Sequence, residues 1–134
     1  MLESRAVNRF LSSSPRKMRL VIDLIRGKSV DKALSILQFS TKHAAKVAEK
    51  VLRSAVSNLH NQDAGSRLET NEMVVTEAYV NEGTSVKRML PAPMGRAFRI
   101  LKRSNHVTIV IAQKQQRVKK ASPPKPKKQE STSK

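Results

Sequence analysis

Six basic side chains crowd one stretch of the sequence, residues 81 to 105, which reads NEGTSVKRMLPAPMGRAFRILKRSN and holds a single acid, Glu82. Guanidinium and ammonium groups at this density suit phosphate binding, because each donates charge-assisted hydrogen bonds to anionic oxygens. The six residues are Lys87, Arg88, Arg96, Arg99, Lys102 and Arg103. The chemistry that they favour is recognition of a polyanion rather than the making or breaking of bonds.

The residues between these cations indicate how they are held. Apolar side chains such as Leu90 make the stretch too hydrophobic for a free linker, and it is longer than the usual loop of a compact domain. Pro91, Pro93 and Gly95 stand at its middle, where the chain would turn. We therefore predict a long β-ribbon over residues 81–105 that projects from the domain and is covered by a partner when the protein works.

The distribution of charge supports the same chemistry. The chain has a net charge of +17, which calls for a polyanionic partner. Residues 1–28 hold seven basic and two acidic side chains, and residues 29–80 hold six basic and six acidic ones. Residues 81–112 hold six basic side chains and one acidic one, and residues 113–134 hold eight basic and one acidic. The centre is neutral and both flanks are basic. We predict that residues 113–134, rich in Lys, Pro, Gln and Ser, form a disordered basic tail.

Other classes of function find little support. The chain has no cysteine, its three histidines are scattered, and it has no glycine-rich phosphate loop, so we expect no enzyme activity, no cofactor and no metal site. Its apolar runs fall short of the roughly 20 residues of a membrane helix, and its N-terminus lacks the apolar segment of a signal peptide. We expect a soluble cytosolic protein that does not bind membranes.

The elements that position the cations can be predicted from periodicity and capping. Leu2 to Leu11 alternates loosely, as a strand or extended arm does. A helix follows, with Ser14 at its N-cap, Pro15 at its first position and Gly27 at its C-cap. Ser29 caps a second helix that should end near Phe39. Ser40 or Thr41 should open the longest helix, which ends in the breaker-rich stretch at residues 61–66.

Two further runs have strand periodicity, residues 72–80 and the β-branched residues 106–112, and these should be the two legs of the ribbon. Three points stay open at this stage. The cations in the first turn of the first helix, and the lysines at 42, 46 and 50 on the longest helix, are either phosphate contacts or ordinary solvated faces. Phe98 either stacks on a base or packs across the hairpin.

The mode of nucleic-acid binding can be narrowed. With no Trp, one Tyr and three Phe, the chain lacks the aromatic platform that stacks single-stranded bases. A helix-turn-helix reader would leave the ribbon unexplained. Recognition of folded RNA by shape and phosphate fits better. The alternative is a free-standing DNA-compacting protein, which would need a dimer interface; the sequence offers no unassigned apolar face for one, and we predict no obligate homo-oligomer.

The run SPRKMRLVIDLIRGK, followed by VNEGTSVKRMLPAPMGRAFRILKRSNHVTIV, resembles the bacterial large-subunit ribosomal protein twenty-two family, from about Arg5 to Ala112. The resemblance implies an α+β domain over residues 1–112, with a three-stranded antiparallel sheet packed on three helices and a long protruding β-hairpin. It also implies binding to large-subunit ribosomal RNA, a part in early subunit assembly, and a hairpin that reaches the wall of the polypeptide exit tunnel. Neighbouring ribosomal proteins would be partners, and contact with the nascent polypeptide is an open expectation.

Carried over to this sequence, the resemblance implies RNA contacts from the six ribbon cations and from a second group near the N-terminus. The second group is Arg5, Arg9, Arg16, Lys17, Arg19, Arg26 and Lys28. The tip of the hairpin would be Pro91, Ala92, Pro93, Met94, Gly95 and Arg96. Ala92 and Met94 stand where the family commonly has basic residues, so the tip is less charged here and its contacts would differ.

Overall fold

The computed structural model describes residues 2–62 and 69–113, and it has the predicted α+β architecture. The elements, in chain order, are β1 (Glu3–Leu11), α1 (Pro15–Ile25), α2 (Val30–Phe39), α3 (His43–His60), β2 (Met73–Glu82), β3 (Val86–Pro91), β4 (Ala97–Lys102) and β5 (Asn105–Gln113). Gln113 therefore ends a strand, and the remainder of the predicted tail lies outside the described residues.

The helix boundaries follow the capping signals in most places. Helix α1 has Ser14 at its N-cap and Pro15 at its first position, and it stops before Gly27, whose φ of +74° is disfavoured for residues with a Cβ. The prediction that Ser40 or Thr41 opens α3 was wrong by one or two residues, since its N-cap is Lys42. Ser40 cannot serve there because it is the C-cap of α2 and donates its N–H to the carbonyl of Leu37.

Strand β5 is the centre of a three-stranded antiparallel sheet with the order β1-β5-β2. Its residues Val107, Ile109 and Ile111 are fully buried, which explains why this strand is the richest in β-branched side chains. The three helices pack over one face of the sheet, with α1 against β2 and α3 against β1 and β5. Their apolar stripes and the inward residues of the strands form one hydrophobic core.

Side chains from the helices cover both outer edges of this sheet. On the β2 edge, Arg19 donates to the carbonyl of Val80 and Arg26 donates to the carbonyl of Ala78. On the β1 edge, Asn58 of α3 donates to the carbonyl of Arg5, and Gln62, two residues beyond the end of α3, donates to that of Glu3. An edge strand leaves alternate carbonyls without a strand partner, and these donors satisfy four of them.

The ribbon is a separate two-stranded ladder of β3 and β4. The prediction that residues 72–80 and 106–112 are its two legs was wrong, because those runs form β2 and β5 of the main sheet. Residues 83–85 and 103–104 separate the two ladders. Strands β3 and β4 pack mainly on each other, and all but one of their residues are exposed. The ribbon thus projects from the domain, and its turn lies at the predicted Pro/Gly centre.

Candidate nucleic-acid interface

The register of the ribbon places cations on both of its faces. Residues directly paired across an antiparallel ladder point to the same side, and successive residues alternate. One face therefore carries Arg88 and Lys102, and the other carries Lys87 and Arg99. All four side chains are exposed, and none pairs with an acid among the described residues. The ribbon can accordingly meet phosphates on two sides at once.

Apolar residues lie between these cations on both faces. Val86, Leu90 and Phe98 share the face of Arg88, while Met89 and Leu101 share the other. Phe98 lies opposite Leu90 in the register, yet 61% of it is exposed, so its place in the ladder leaves most of the ring open to a partner. An exposed apolar surface of this extent on a projecting element indicates that another molecule covers it.

The tip of the ribbon is a tight turn held by a hydrogen bond from the Ala92 N–H to the Arg96 carbonyl, at 2.9 Å. Two consecutive residues inside it have left-handed backbone conformations, Met94 with φ of 62° and Gly95 with φ of 70°. Glycine adopts this conformation freely, whereas methionine adopts it at an energetic cost. Met94 is also 92% exposed, so the tip presents a strained and fully accessible thioether side chain.

Three backbone segments meet where the ribbon leaves the sheet. The Gly83 N–H donates to the Ser104 carbonyl at 2.9 Å, and the Ser104 hydroxyl donates to the Thr84 carbonyl at 2.6 Å. On the other side, the amide nitrogen of the fully buried Asn105 donates to both the carbonyl and the hydroxyl of Ser13, at 2.7 Å each. These bonds connect both legs of the ribbon to the domain and so fix where it emerges.

An aromatic pair reinforces the same junction. The backbone N–H of Phe10 donates to Nδ1 of His106 at 2.9 Å, and the two rings meet edge to face with centroids 4.7 Å apart. Phe10 has φ of 56°, and the register between β1 and β5 shifts at this point, so the strand bulges to present its N–H to the imidazole. The bond requires Nδ1 of His106 to be unprotonated, because only then can it accept.

The N-terminal cations divide into two groups. Arg19 and Arg26 point their guanidinium groups at the β2 edge, and each also lies near an acid, Glu82 at 3.9 Å and Asp23 at 3.0 Å respectively. The other five are exposed and pair with no acid in the described part of the chain. These five are Arg5, Arg9, Arg16, Lys17 and Lys28.

Comparison with known proteins shows the family of the chain. The family model described as ribosomal protein L22p/L17e matches residues 6–112, which is most of the chain. The chain belongs to this ribosomal protein family. That finding confirms the family resemblance in the sequence, and it confirms the prediction that the chain is not an enzyme.

Curated relatives in the L22p/L17e family match over nearly their whole length. The large ribosomal subunit protein uL22 of Chlorobaculum tepidum is 50% identical over 119 residues, covering 89% of this chain and all of the relative. That of Chlorobium phaeobacteroides is 50% identical over 110 residues, covering 82% and 94%. The Clostridium novyi protein is 44% identical over 113 residues, covering 84% and 99%.

Sequence reasoning missed the junction residues of this L22p/L17e protein. Phe10, Ser13 and Ser104 carry no charge and fit no motif, and their importance comes from contacts between segments far apart in the chain. The described residues hold no cluster of three or more side chains that could ligate a metal ion. No helix within residues 2–62 and 69–113 is long and apolar enough to cross a membrane.

Proposed function

We propose that the protein is a structural constituent of the large ribosomal subunit in the cytoplasm, where it binds large-subunit ribosomal RNA and supports early assembly. Its ribbon extends to the wall of the polypeptide exit tunnel, beside neighbouring ribosomal proteins and within reach of the nascent polypeptide. The observation that carries the proposal is the projecting ribbon, which holds exposed cations on both faces without acidic partners among the described residues. The names of the curated relatives support the ribosomal setting.

The ribbon would act by inserting between RNA segments. Cations on its two faces bind phosphates of different segments, and the apolar residues between them cover ribose and base surfaces. Strands β3 and β4 have six residues each, which at about 3.3 Å per residue gives a ladder about 20 Å long, enough to lie between neighbouring RNA segments. Arg5, Arg9, Arg16, Lys17 and Lys28 would add contacts where the domain body meets the RNA, and the ribbon would anchor the domain.

Crosslinking from a photoreactive amino acid in place of Met94, followed by sequencing of the attached RNA in intact cells, tests this function. We expect crosslinks confined to a few large-subunit RNA positions around the exit tunnel. Crosslinks scattered over DNA and unrelated RNA would overturn the proposal. A photoreactive residue at Ser57, an exposed position of α3, serves as the control and should give a different set of crosslinks.

The alternative function, DNA compaction, shares the charge but predicts different behaviour in salt. Exposed phosphate contacts alone weaken steeply as salt rises, because their affinity comes from counterion release. A ribbon buried in folded RNA is held in addition by its apolar contacts. Co-sedimentation with large subunits in high salt is therefore expected for the ribosomal function, and loss from the subunits under those conditions would favour the DNA-compacting alternative.

A further inference from the structure

A second basic surface lies on the outer face of α3, away from the ribbon. Lys46 and Lys50 stand four residues apart on α3, about 6 Å along one side of the helix, and Lys42 is the N-cap, four residues before Lys46. All three are exposed, and none forms a salt bridge with an acid in the described residues. The one acid among them, Glu49, pairs instead with Arg53 at 2.6 Å. The three lysines therefore keep their charges available to an external anion.

This surface continues onto α1 through a cavity of about 520 Å³. Lys42, His43 and Ala44 line it from the start of α3, and Ser13, Ser14, Lys17 and Leu20 line it from the start of α1. Two lysines from different helices, Lys17 and Lys42, thus border one space. The cavity lies within the size range of pockets that hold small ligands.

The orientation of α3 places the start of this surface beside the base of the ribbon. Ser13, at the cavity, accepts hydrogen bonds from Asn105 at the base of the ribbon. The far end of α3 contacts the opposite end of the sheet, since Gln62 donates to the carbonyl of Glu3. The lysines accordingly begin beside the ribbon base and run away from it along the domain. A basic track leads from the ribbon across the cavity to the middle of α3.

The charge distribution favours an anionic partner over plain solvation. Residues 29–80 carry six basic and six acidic side chains, so this segment as a whole is neutral. Its described acids lie mostly elsewhere, in α2, near the start of β2 and on β2, while the outer face of α3 holds Lys42, Lys46, Lys50 and Arg53 against Glu49 alone. A neutral segment that collects its cations on one face presents a local positive field.

We propose that Lys17, Lys42, Lys46 and Lys50 bind the phosphodiester backbone of an RNA segment that continues from the base of the ribbon along α3. The inference rests on the proposed function and adds a second contact surface to it. The lysines follow one another along the start of α3, so their ammonium groups can contact phosphates of one strand. The contacts are to backbone only and carry no base specificity.

Substitution of single lysines in the full-length protein tests the surface. Affinity for large-subunit RNA is measured over a range of salt concentrations for Lys46→Gln and Lys50→Gln, with Lys32→Gln as the matched control. Lys32 is an equally exposed lysine on α2, a helix that does not line the cavity. We expect each α3 variant to make the salt dependence shallower by about 1 logarithmic unit, because one phosphate contact is lost, and the control to leave it unchanged.

The outcomes separate this inference from the function on which it rests. If the α3 variants behave as Lys32→Gln does while Arg88→Gln and Arg99→Gln on the ribbon weaken binding, the second surface is wrong and the proposed function stands. If the unsubstituted protein shows no salt-dependent binding to this RNA, the proposed function itself fails. A tethered cleavage reagent gives a second test of this surface. Because the chain has no cysteine, Lys50→Cys introduces a single thiol to which the reagent can be attached. RNA cleavage from this site is expected in assembled subunits, and its absence would overturn the proposed α3 surface.

Discussion

The guanidinium group of Arg26 donates two hydrogen bonds to the carbonyl oxygen of Ala78, from Nε at 3.0 Å and from Nη2 at 2.6 Å. We expect Arg26→Ala to lower the free energy of unfolding by about 1 to 2 kcal/mol, because a carbonyl of the edge strand loses a charged donor. Arg26→Lys should lose less, since an ammonium group can reach the carbonyl but cannot bind it through two nitrogens. Urea unfolding followed by circular dichroism measures both.

Arg16 on the same helix is the matched control, because it is exposed and makes no hydrogen bond or salt bridge with a described residue. Arg16→Ala should leave the free energy of unfolding within about 0.5 kcal/mol of the original and should instead weaken RNA binding. If Arg26→Ala and Arg16→Ala lose the same free energy of unfolding, the contact of Arg26 with Ala78 does not stabilise the fold measurably.

Gly83 occupies a position with no room for a side chain. A Cβ there would collide with Oγ of Ser104 and lie 3.2 Å from Nε2 of His106. We expect Gly83→Ala to lower the free energy of unfolding by about 1 to 3 kcal/mol, the usual range for overpacking. Nuclear magnetic resonance shifts at the ribbon base should change with it.

The double variant Gly83→Ala with Ser104→Ala isolates the cause. Ser104→Ala alone removes the hydrogen bond to the Thr84 carbonyl and should destabilise, yet it also removes the atom that the new Cβ would meet. The double variant should therefore lose less free energy of unfolding than the sum of the losses in the two single variants. If the double variant loses as much free energy of unfolding as the two single variants together, the collision with Ser104 is not the cause of the destabilisation.

Asn105 is fully buried, and its amide nitrogen faces the carbonyl of Ser13. In Asn105→Asp a carboxylate would replace that donor, and burial would raise the pKa of the new carboxyl above its unfolded value. The folded state then binds more protons than the unfolded state, so the stability of the variant should rise as the pH falls. At pH 8 the free energy of unfolding of the variant should be more than about 2 kcal/mol below that of the original protein, and the difference should be smaller at pH 5.

Unfolding of Asn105→Asp at the two pH values is compared with that of Asn71→Asp, which places the same carboxyl at an exposed position. The control should show almost no difference in stability between pH 8 and pH 5 relative to the original protein. A pH-independent loss in Asn105→Asp would mean that the new carboxyl is ionised in the folded protein at both pH values, which contradicts the expected rise of its pKa.

Met94 adopts a left-handed conformation at the tip, with φ of 62° and ψ of 36°. Met94→Gly should favour the turn by about 1 kcal/mol, because glycine adopts this conformation without the clash of a Cβ. The expected result is slower amide exchange at Ala92 in the free protein, because the Ala92 N–H donates to the Arg96 carbonyl across the turn. The control is Ala92→Gly, where φ is −126° and glycine relieves no strain. Faster exchange in Met94→Gly would show that the methionine side chain, rather than the backbone, holds the tip.

Much of the fold follows from local signals in the sequence. Ser14 and Pro15 begin α1 as predicted, because capping depends on neighbouring residues, whereas the C-cap is Arg26, one residue before the predicted Gly27. The start of α3 was missed because Ser40 and Thr41 both suit an N-cap, whereas Ser40 is the C-cap of α2 and the N-cap of α3 is Lys42. The break between the two ladders was also missed, since residues 83–85 and 103–104 interrupt pairing through contacts with each other.

The residues of the candidate site were also only partly predictable from the sequence. Ribbon cations such as Arg88 could be found by counting charge, because a projecting element leaves its side chains exposed. Arg19 and Arg26 looked the same in sequence, but each donates to an edge carbonyl of β2. Nothing in their spacing reveals which strand lies beside the helix. Phe10 escaped notice for a similar reason, since its left-handed backbone serves a histidine 96 positions away.

The covered edges of the sheet have a consequence for the protein before it meets RNA. A free strand edge is a template on which another chain can add a strand, the first step of aggregation. Helical donors occupy carbonyls of both outer strands, among them those of Ala78 and Arg5. The ribbon has open edges, but its like charges would repel a second ribbon. Both features disfavour strand pairing between two copies of this chain.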